Sequence, residues 1–573
     1  MIVRNLSTTN AVSAPFKLVF VRYSEINSQA DTHINLIRSP MAEPGLCSRC
    51  KAVDAENQPV PCTASESGPC SVCEEREAIR DKIEQLEEEI TKLKAKHHAL
   101  GGRMNAIHDP FIHKLPPEIG SHIFRLCLPT LDFEDINVWK EAATSTTRAL
   151  RLGAVCRKWR QLAWTTPDLW DTLFLPISPS TRRFLAESLP ALLREWLSRS
   201  AMRPLNIFFC YYGCSEENDF YDDLPDKSIV KVLESAAAEI LEVINSHSGR
   251  WRNLHLDVRA DIPERLRGST QPNQLFGLEL GVDGERSPTQ KFIMKRKPYP
   301  TLLTLMNFSP TSIDIGWDNI IRASLYNLNA NECLEVLRRA PALECCLAEP
   351  WDDVTVEFGT TIHPHLRSLD ILSRGPKFLD AINVPSLEEW FHNTDNGPLP
   401  VTAMVSLLER SGCCLKILDL QNISASPEDL SILFKAIPSL ERLQLHFVSV
   451  KNTDGVMDDI LARIFNSTPC NSTIPSEEVS RQSFLPRLQV LECMPSFTMF
   501  AAFSWNHIPQ LYCQGHRRSL ALKSAAEESH ISDDTALQLL KLIDEGVNLQ
   551  ILDRTTEAGG DFLENFRKRV CSL

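Results

Sequence analysis

The sequence predicts an α/β solenoid of irregular repeats over residues 176–573, preceded by a small all-α domain over 108–175 and a heptad helix over 76–102. Three observations carry that prediction. An apolar run ending in L-x2-L-x-L returns again and again along the C-terminal two thirds. Two short helical runs, around "LPPEI" and "VCRKWRQLA", hold more apolar side chains than a unit of about sixty residues can hide. Ahead of them, Ile and Leu alternate at spacings of four and three.

The chain has 573 residues, 43% of them hydrophobic, enough for several domains or for one domain plus an elongated array. Sixty Lys and Arg against 74 Asp and Glu give a net charge of −14, which argues against nucleic acid as a partner. The apolar stretch "FKLVFV" (16–21) is too short for a signal h-region or a membrane span, so no membrane partner is expected. Eighteen cysteines scattered over this length fit a reducing, cytoplasmic or nuclear compartment. Residues 1–40, rich in Ser, Thr and Asn, read as a disordered tail; a transit peptide or a true start at Met41 are the alternatives.

Residues 41–75 hold two C-x2-C pairs, Cys47/Cys50 and Cys70/Cys73, nineteen residues apart. Each such turn offers two thiolates to one ion, and this separation matches a zinc ribbon. The segment has almost no large apolar residues, so one structural zinc would have to order it. The bland reading is a disordered linker with incidental cysteines.

Next runs "EEREAIRDKIEQLEEEITKLKAKHHAL". Ile83 and Ile90 fall at heptad position a, with Ile79, Leu86, Leu93 and Leu100 at d. Ile at a with Leu at d favours a parallel two-stranded coil. Lys82 and Glu89 at g would face Glu87 and Lys94 at e of a partner. Dimerisation through this helix and packing against the following domain both remain open. Gly101-Gly102 is expected to stop the helix.

In "HKLPPEIGSHIFRLCLP" (113–129), Leu115-Pro116-Pro117-Glu118 is a helix start with proline early and an acid in the first turn. Ile119, Ile123 and Leu126 fall on one face and Phe124 on another, so the helix needs two surfaces to cover it. Val155, Trp159 and Leu162 lie at i, i+4, i+7 in "VCRKWRQLA", and "TTPDLW" adds Leu169 and Trp170. The order LPPE-I-x3-IF, VCRKWRQLA, P-x-LW resembles an F-box, and with the cysteine pairs and charged helix it is similar to a large fungal F-box family. That resemblance implies docking to the adaptor of a Skp–cullin–F-box ubiquitin ligase. The residues it carries over are Leu115, Pro116, Pro117, Ile119, Ile123, Phe124, Val155, Cys156, Trp159, Leu162, Leu169 and Trp170. Some of these must be internal core. The stretch "TLDFEDINVWKEAATSTTRALR" is around a dozen residues longer than a minimal F-box needs, so a loop or extra turn is expected there.

Beyond 176, lead leucines at 343, 366, 387, 415 and 440 are spaced 23, 21, 28 and 25 residues apart. That lies within the leucine-rich-repeat range of about 20 to 29. The asparagine usual after the strand is mostly absent, which makes the repeats irregular. Stacked units cover one another's leucines, leaving function to the non-leucine strand positions. Cys345-Cys346 and Cys413-Cys414 read as small hydrophobes in buried segments.

No phosphate-cradling glycine loop, H-E-x2-H or G-x-S-x-G occurs, so a non-catalytic chain is expected. The leading reading is a substrate receptor: the F-box reaches the adaptor and, through it, a cullin, while the repeats hold an unknown target protein. The alternative is a scaffold that needs no adaptor.

Overall fold

The computed structural model describes residues 71–108, 115–133, 135, 138–211, 227–259, 261–283, 291–351, 359–372, 376–394, 397–423, 425–447, 456–467, 484–494, 504–514, 517–526, 531–553 and 560–571. Two compact units divide the chain, Met1–Ala163 and Trp164–Leu573. A helical region around the F-box-like run is followed by a region built on parallel strands.

The helices of the first region are α1 (Ser71–His108), α2 (Pro117–Leu126), α3 (Val138–Ala154) and α4 (Arg157–Trp164). Helix α1 runs straight through Gly101-Gly102, contrary to the expected stop. Two glycines cost about 1 kcal/mol each relative to alanine in a helix interior, which weakens a helix without breaking it. Most of the long stretch after α2 is helical. It forms the 17-residue α3, burying Val138, Trp139, Ala142, Ser145 and Ala149 along one side.

The second apolar run is also differently built. The helix breaks at Val155-Cys156, and α4 starts afresh at Arg157. Cys156 Sγ accepts from the Trp159 N–H at 3.4 Å, satisfying one of the free amides of the new helix start. Arg160 Nε donates to the Gly153 carbonyl at 2.9 Å and closes the end of α3. Val155 therefore does not share a helix face with Trp159 and Leu162.

The second region carries a 14-stranded sheet. Its strands are β1 (Thr172–Ile177), β2 (Leu205–Tyr211), β3 (Trp251–Arg259), β4 (Gly277–Asp283), β5 (Leu302–Met306), β6 (Arg322–Leu328) and β7 (Cys345–Pro350). They continue as β8 (Ser368–Leu372), β9 (Glu389–Asn393), β10 (Ile417–Ile423), β11 (Arg442–Phe447), β12 (Val490–Met494), β13 (Ala521–Ala526) and β14 (Leu549–Asp553). Every neighbouring pair is parallel, and the sheet order is the chain order.

One row of side chains crosses all these strands in register, from Leu173 through Leu254, Leu303, Trp390 and Leu443 to Leu549, and it is buried throughout. Strands alternate their side chains, so a single apolar row commits one whole face to the interior. Cys346 is the member of this row in β7, and burial pushes its thiol up to about 12. As expected it is an inert filler. Cys413 and Cys414 differ from expectation, half-buried and exposed in the turn before β10.

The lead leucines explain the cadence. Leu343, Leu366, Leu387, Leu415 and Leu440 are buried, each two residues ahead of its strand. The backbone N–H of the residue after each of the last four donates to the matching carbonyl one unit back: Arg367 to Glu344, Glu388 to Arg367, Lys416 to Glu388, Glu441 to Lys416, all at 2.7–2.8 Å. Asn307, Asn327 and Asn422 end or follow strands with positive φ near 55°, the conformation asparagine tolerates best after glycine. Helices return the chain between β1 and β2 (Arg183–Arg199), between β2 and β3 (Lys227–Ser246), between β6 and β7 (Ala330–Arg339) and from β8 onward, and Asn329 with Glu332 forms a reciprocal capping box on the Ala330–Arg339 helix.

Candidate functional site

Helix α2 carries its two apolar faces for two purposes. Proline at its first position and Glu118 in its first turn start it, and Arg148 Nη1 donates to the Cys127 carbonyl at 2.6 Å to close its far end. Gly120 and Phe124, one turn apart, face inward. The Phe124 ring centroid lies 4.9 Å from that of Trp159 in α4, and a Cβ on Gly120 would come within 2.6 Å of Leu162 Cδ2. Glycine there is what lets α2 and α4 approach so closely.

The other face is open. Ile119 and Leu126 are 46% and 70% exposed, and Ile123, between them on the same side, is half-buried. Val155, in the bend between α3 and α4, is 57% exposed. Isolated exposed apolar residues are ordinary, but a row of them on one face of one helix is not.

The structure thus sorts the twelve residues carried over by resemblance. Phe124, Leu162, Leu169 and Trp170 are enclosed by the chain itself, so as they stand they pack rather than dock. Leu169 and Trp170 fall within the second unit, just before β1, where Trp170 meets Trp196 edge-on at 4.6 Å and Arg199 lies 4.7 Å over its ring. Leu115, Ile123, Cys156 and Trp159 are half-buried, while Pro116, Pro117, Ile119 and Val155 are exposed. Leu126 joins the open face although it was absent from those twelve. Its place on the face of Ile119 and Ile123 was the signal that could have included it.

A second candidate surface is the face of the sheet opposite the leucine row. In register across β7 to β13 stand Leu347, Asp370, Phe391, Asp419, Gln444, Glu492 and Lys523. Glu492 is well served: Gln444 Nε2 donates to it at 2.7 Å and Lys523 Nζ lies 3.3 Å away. Asp419 accepts from Gln421 at 3.2 Å and has His446 Nε2 at 3.8 Å. Among the described residues no cation pairs with Asp370 or with Glu349 on the neighbouring strand. Burial pushes both carboxyls up to about 7, helped by Asp419 acting on Asp370 and by Asp370 acting on Glu349. Between about pH 4 and 7 the folded chain therefore holds more protons here than the unfolded one, and stability falls as pH rises through that window. Asp370→Asn is expected to stabilise the array by about 4 kcal/mol at pH 8 and to change little at pH 4. Urea titrations at the two pH values measure the difference, and equal effects at both would refute it.

Among the described residues no three His, Cys, Asp or Glu side chains gather as a metal site, and no helix is long and apolar enough to cross a membrane. Cys47, Cys50 and Cys70 lie outside the described residues, as does the side chain of Cys73.

Residues 112–176 match the F-box-like family. The chain carries an F-box-like domain, the kind of module that serves as the adaptor-binding component of Skp–cullin–F-box assemblies. No curated protein matches the chain. Among solved structures it is similar to one described as a crystal structure of a TLR13–ssRNA13 complex, at 13% identity and a TM-score of 0.20, over 48% of each chain. The chain spans about half the length of that relative, and at that TM-score the likeness carries no conclusion about fold or function.

Proposed function

We propose that this chain is the non-catalytic substrate-recognition subunit of a Skp–cullin–F-box ubiquitin ligase in the cytoplasm or nucleus. The observation that carries the reading is the open apolar row Ile119, Ile123 and Leu126 on α2, within the F-box-like match. Covering the exposed halves of these side chains and of Val155 is worth about 1 kcal/mol each, enough together to hold an adaptor against the face. The parallel array then reads as a solenoid of irregular leucine-rich repeats whose open strand face receives a target protein. Transfer chemistry belongs to the recruited subunits; this chain contributes proximity and orientation. One structural zinc on Cys47, Cys50, Cys70 and Cys73 belongs to the same reading, supported by their spacing alone.

The test is co-purification of the full chain with a purified Skp-type adaptor, wild type beside Ile119→Asp/Leu126→Asp. Both substituted positions are exposed, so the fold should survive. A stoichiometric wild-type complex that the variant loses, at unchanged helix content, is expected. No complex with wild type would overturn the proposal in favour of an adaptor-independent scaffold.

A further inference from the structure

We infer that a second copy of this chain pairs with the first, in parallel and in register, along the whole of α1. The helix is 38 residues long, about 57 Å at 1.5 Å per residue. Its large apolar residues from Ile79 to Ile107 are all 45–72% exposed. A helix of this length is stabilised in water chiefly by cover over its apolar side, and the described residues leave this stripe exposed.

What covers it is written in the heptads. Ile83, Ile90 and Met104 take position a, with His97 as one polar a layer between the last two, and Leu86, Leu93 and Leu100 take d. Met104 and Ile107 lie beyond Gly101-Gly102 and stay in phase because the helix continues through the glycines. The seam is therefore one layer pair longer than a helix stopped at Gly101 would carry. Isoleucine at a with leucine at d is the two-stranded preference.

Charge selects the partner and its direction. In a parallel pair the g position of one helix faces e of the next heptad on the other. Here those contacts are Glu75 with Arg80, Lys82 with Glu87, and Glu89 with Lys94, each attractive and each made twice by symmetry. Two remain: Lys96 with Gly101 is neutral, and Arg103 with His108, at the last turn, sets a cation beside an imidazole and adds no attraction. The stripe thus fits another copy of itself without any change of sequence.

The consequence is geometric. Helix α1 ends at His108 and α2 starts at Pro117, so at most about 30 Å of chain separates the end of the seam from each open α2 face. Parallel pairing brings both F-box-like domains to the same end of one coil.

The experiment is sedimentation equilibrium of the full chain, without any adaptor, so that it stands or falls apart from the docking proposal. Wild type is expected at twice its 64.6 kDa chain mass, and Leu86→Asp/Leu93→Asp at the chain mass with unchanged far-ultraviolet dichroism. Lys82→Glu and Glu87→Lys singly place like charges across the seam and are expected to weaken the dimer by roughly fivefold to tenfold. Combining the two substitutions restores attraction only in the parallel register and is expected to recover wild-type affinity. A monomeric wild type at micromolar concentration, or a dimer indifferent to Leu86→Asp/Leu93→Asp, would overturn the pairing. A dimer that the double reversal fails to rescue would overturn its parallel direction.

Discussion

Phe124→Ala is expected to loosen the packing of α2 on α4 by about 3–5 kcal/mol, while Ile119→Ala changes stability by less than about 0.5 kcal/mol. The two residues sit five positions apart on one ten-residue helix, and a residue count cannot tell them apart. Phe124 is 1% exposed and lies against Trp159; truncating it leaves a cavity that Gly120 has no side chain to fill. Ile119 points to water and loses little when shortened. Hydrogen exchange over 117–126 in the full chain reads both. Protection should collapse in Phe124→Ala and persist in Ile119→Ala, whereas adaptor binding should fall in both. Equal loss of protection would mean that Ile119 belongs to the core and that the open face of α2 is not a docking surface.

The two-faced character of α2 was legible from the sequence because helical periodicity alone separates Ile119, Ile123 and Leu126 from Phe124. Which face turned inward was not, since both are apolar. The deciding residue is Gly120, whose missing side chain admits Leu162 from a helix some forty positions away. The break at Val155-Cys156 was hidden for a related reason. Nothing in "AVCRKWRQLA" forbids a continuous helix, and the restart depends on a cysteine sulfur and an arginine side chain serving the two helix ends.

In the array, the lead leucines were readable from β7 to β11, where the spacing stays within about 20 to 29 residues; β4 and β14 keep inward Leu278 and Leu549 but fall outside that even cadence. Strands β6 and β13 escaped notice because their inward positions carry Ala323 and Ser524, small residues that break the leucine cadence while still packing. Strand β1 overlaps the end of the 112–176 match, yet it pairs with β2 as the first strand of the sheet, and Leu169 and Trp170 read as the end of an F-box. They fall just ahead of the first strand. The cluster of acids was invisible for a deeper reason: Glu349, Asp370 and Asp419 lie tens of residues apart and are brought near one another only by the parallel strands.

Acid is expected to expose a buried weak point in the array, and His392→Leu to remove it. His392 occupies an inward position of β9 between Ile371 and Leu420 and is fully enclosed, its ring 5.9 Å from that of Trp390. Neither ring nitrogen has a hydrogen-bond partner among the described residues, and burial pulls its pKa down to about 4. An unfolded histidine titrates near 6.5. Between those values the unfolded chain binds the extra proton, so stability falls as pH falls through that window. At pH 5 the loss from this one ring is about 2 kcal/mol relative to pH 7.5. Over nearly the same window Asp370 and Glu349, raised to about 7, push stability the other way. The wild-type profile is therefore a difference between opposed slopes, and its flatness would by itself say nothing. Separating them needs the variants. Relative to wild type, His392→Leu should gain about 2 kcal/mol more at pH 5 than at pH 7.5, with Trp390 fluorescence following urea unfolding. Asp370→Asn should show a gain that grows as pH rises from about 4 to 7. A pH-independent difference for His392→Leu would mean that the ring is protonated or solvated in the folded chain, and that the inward face at β9 is open to water.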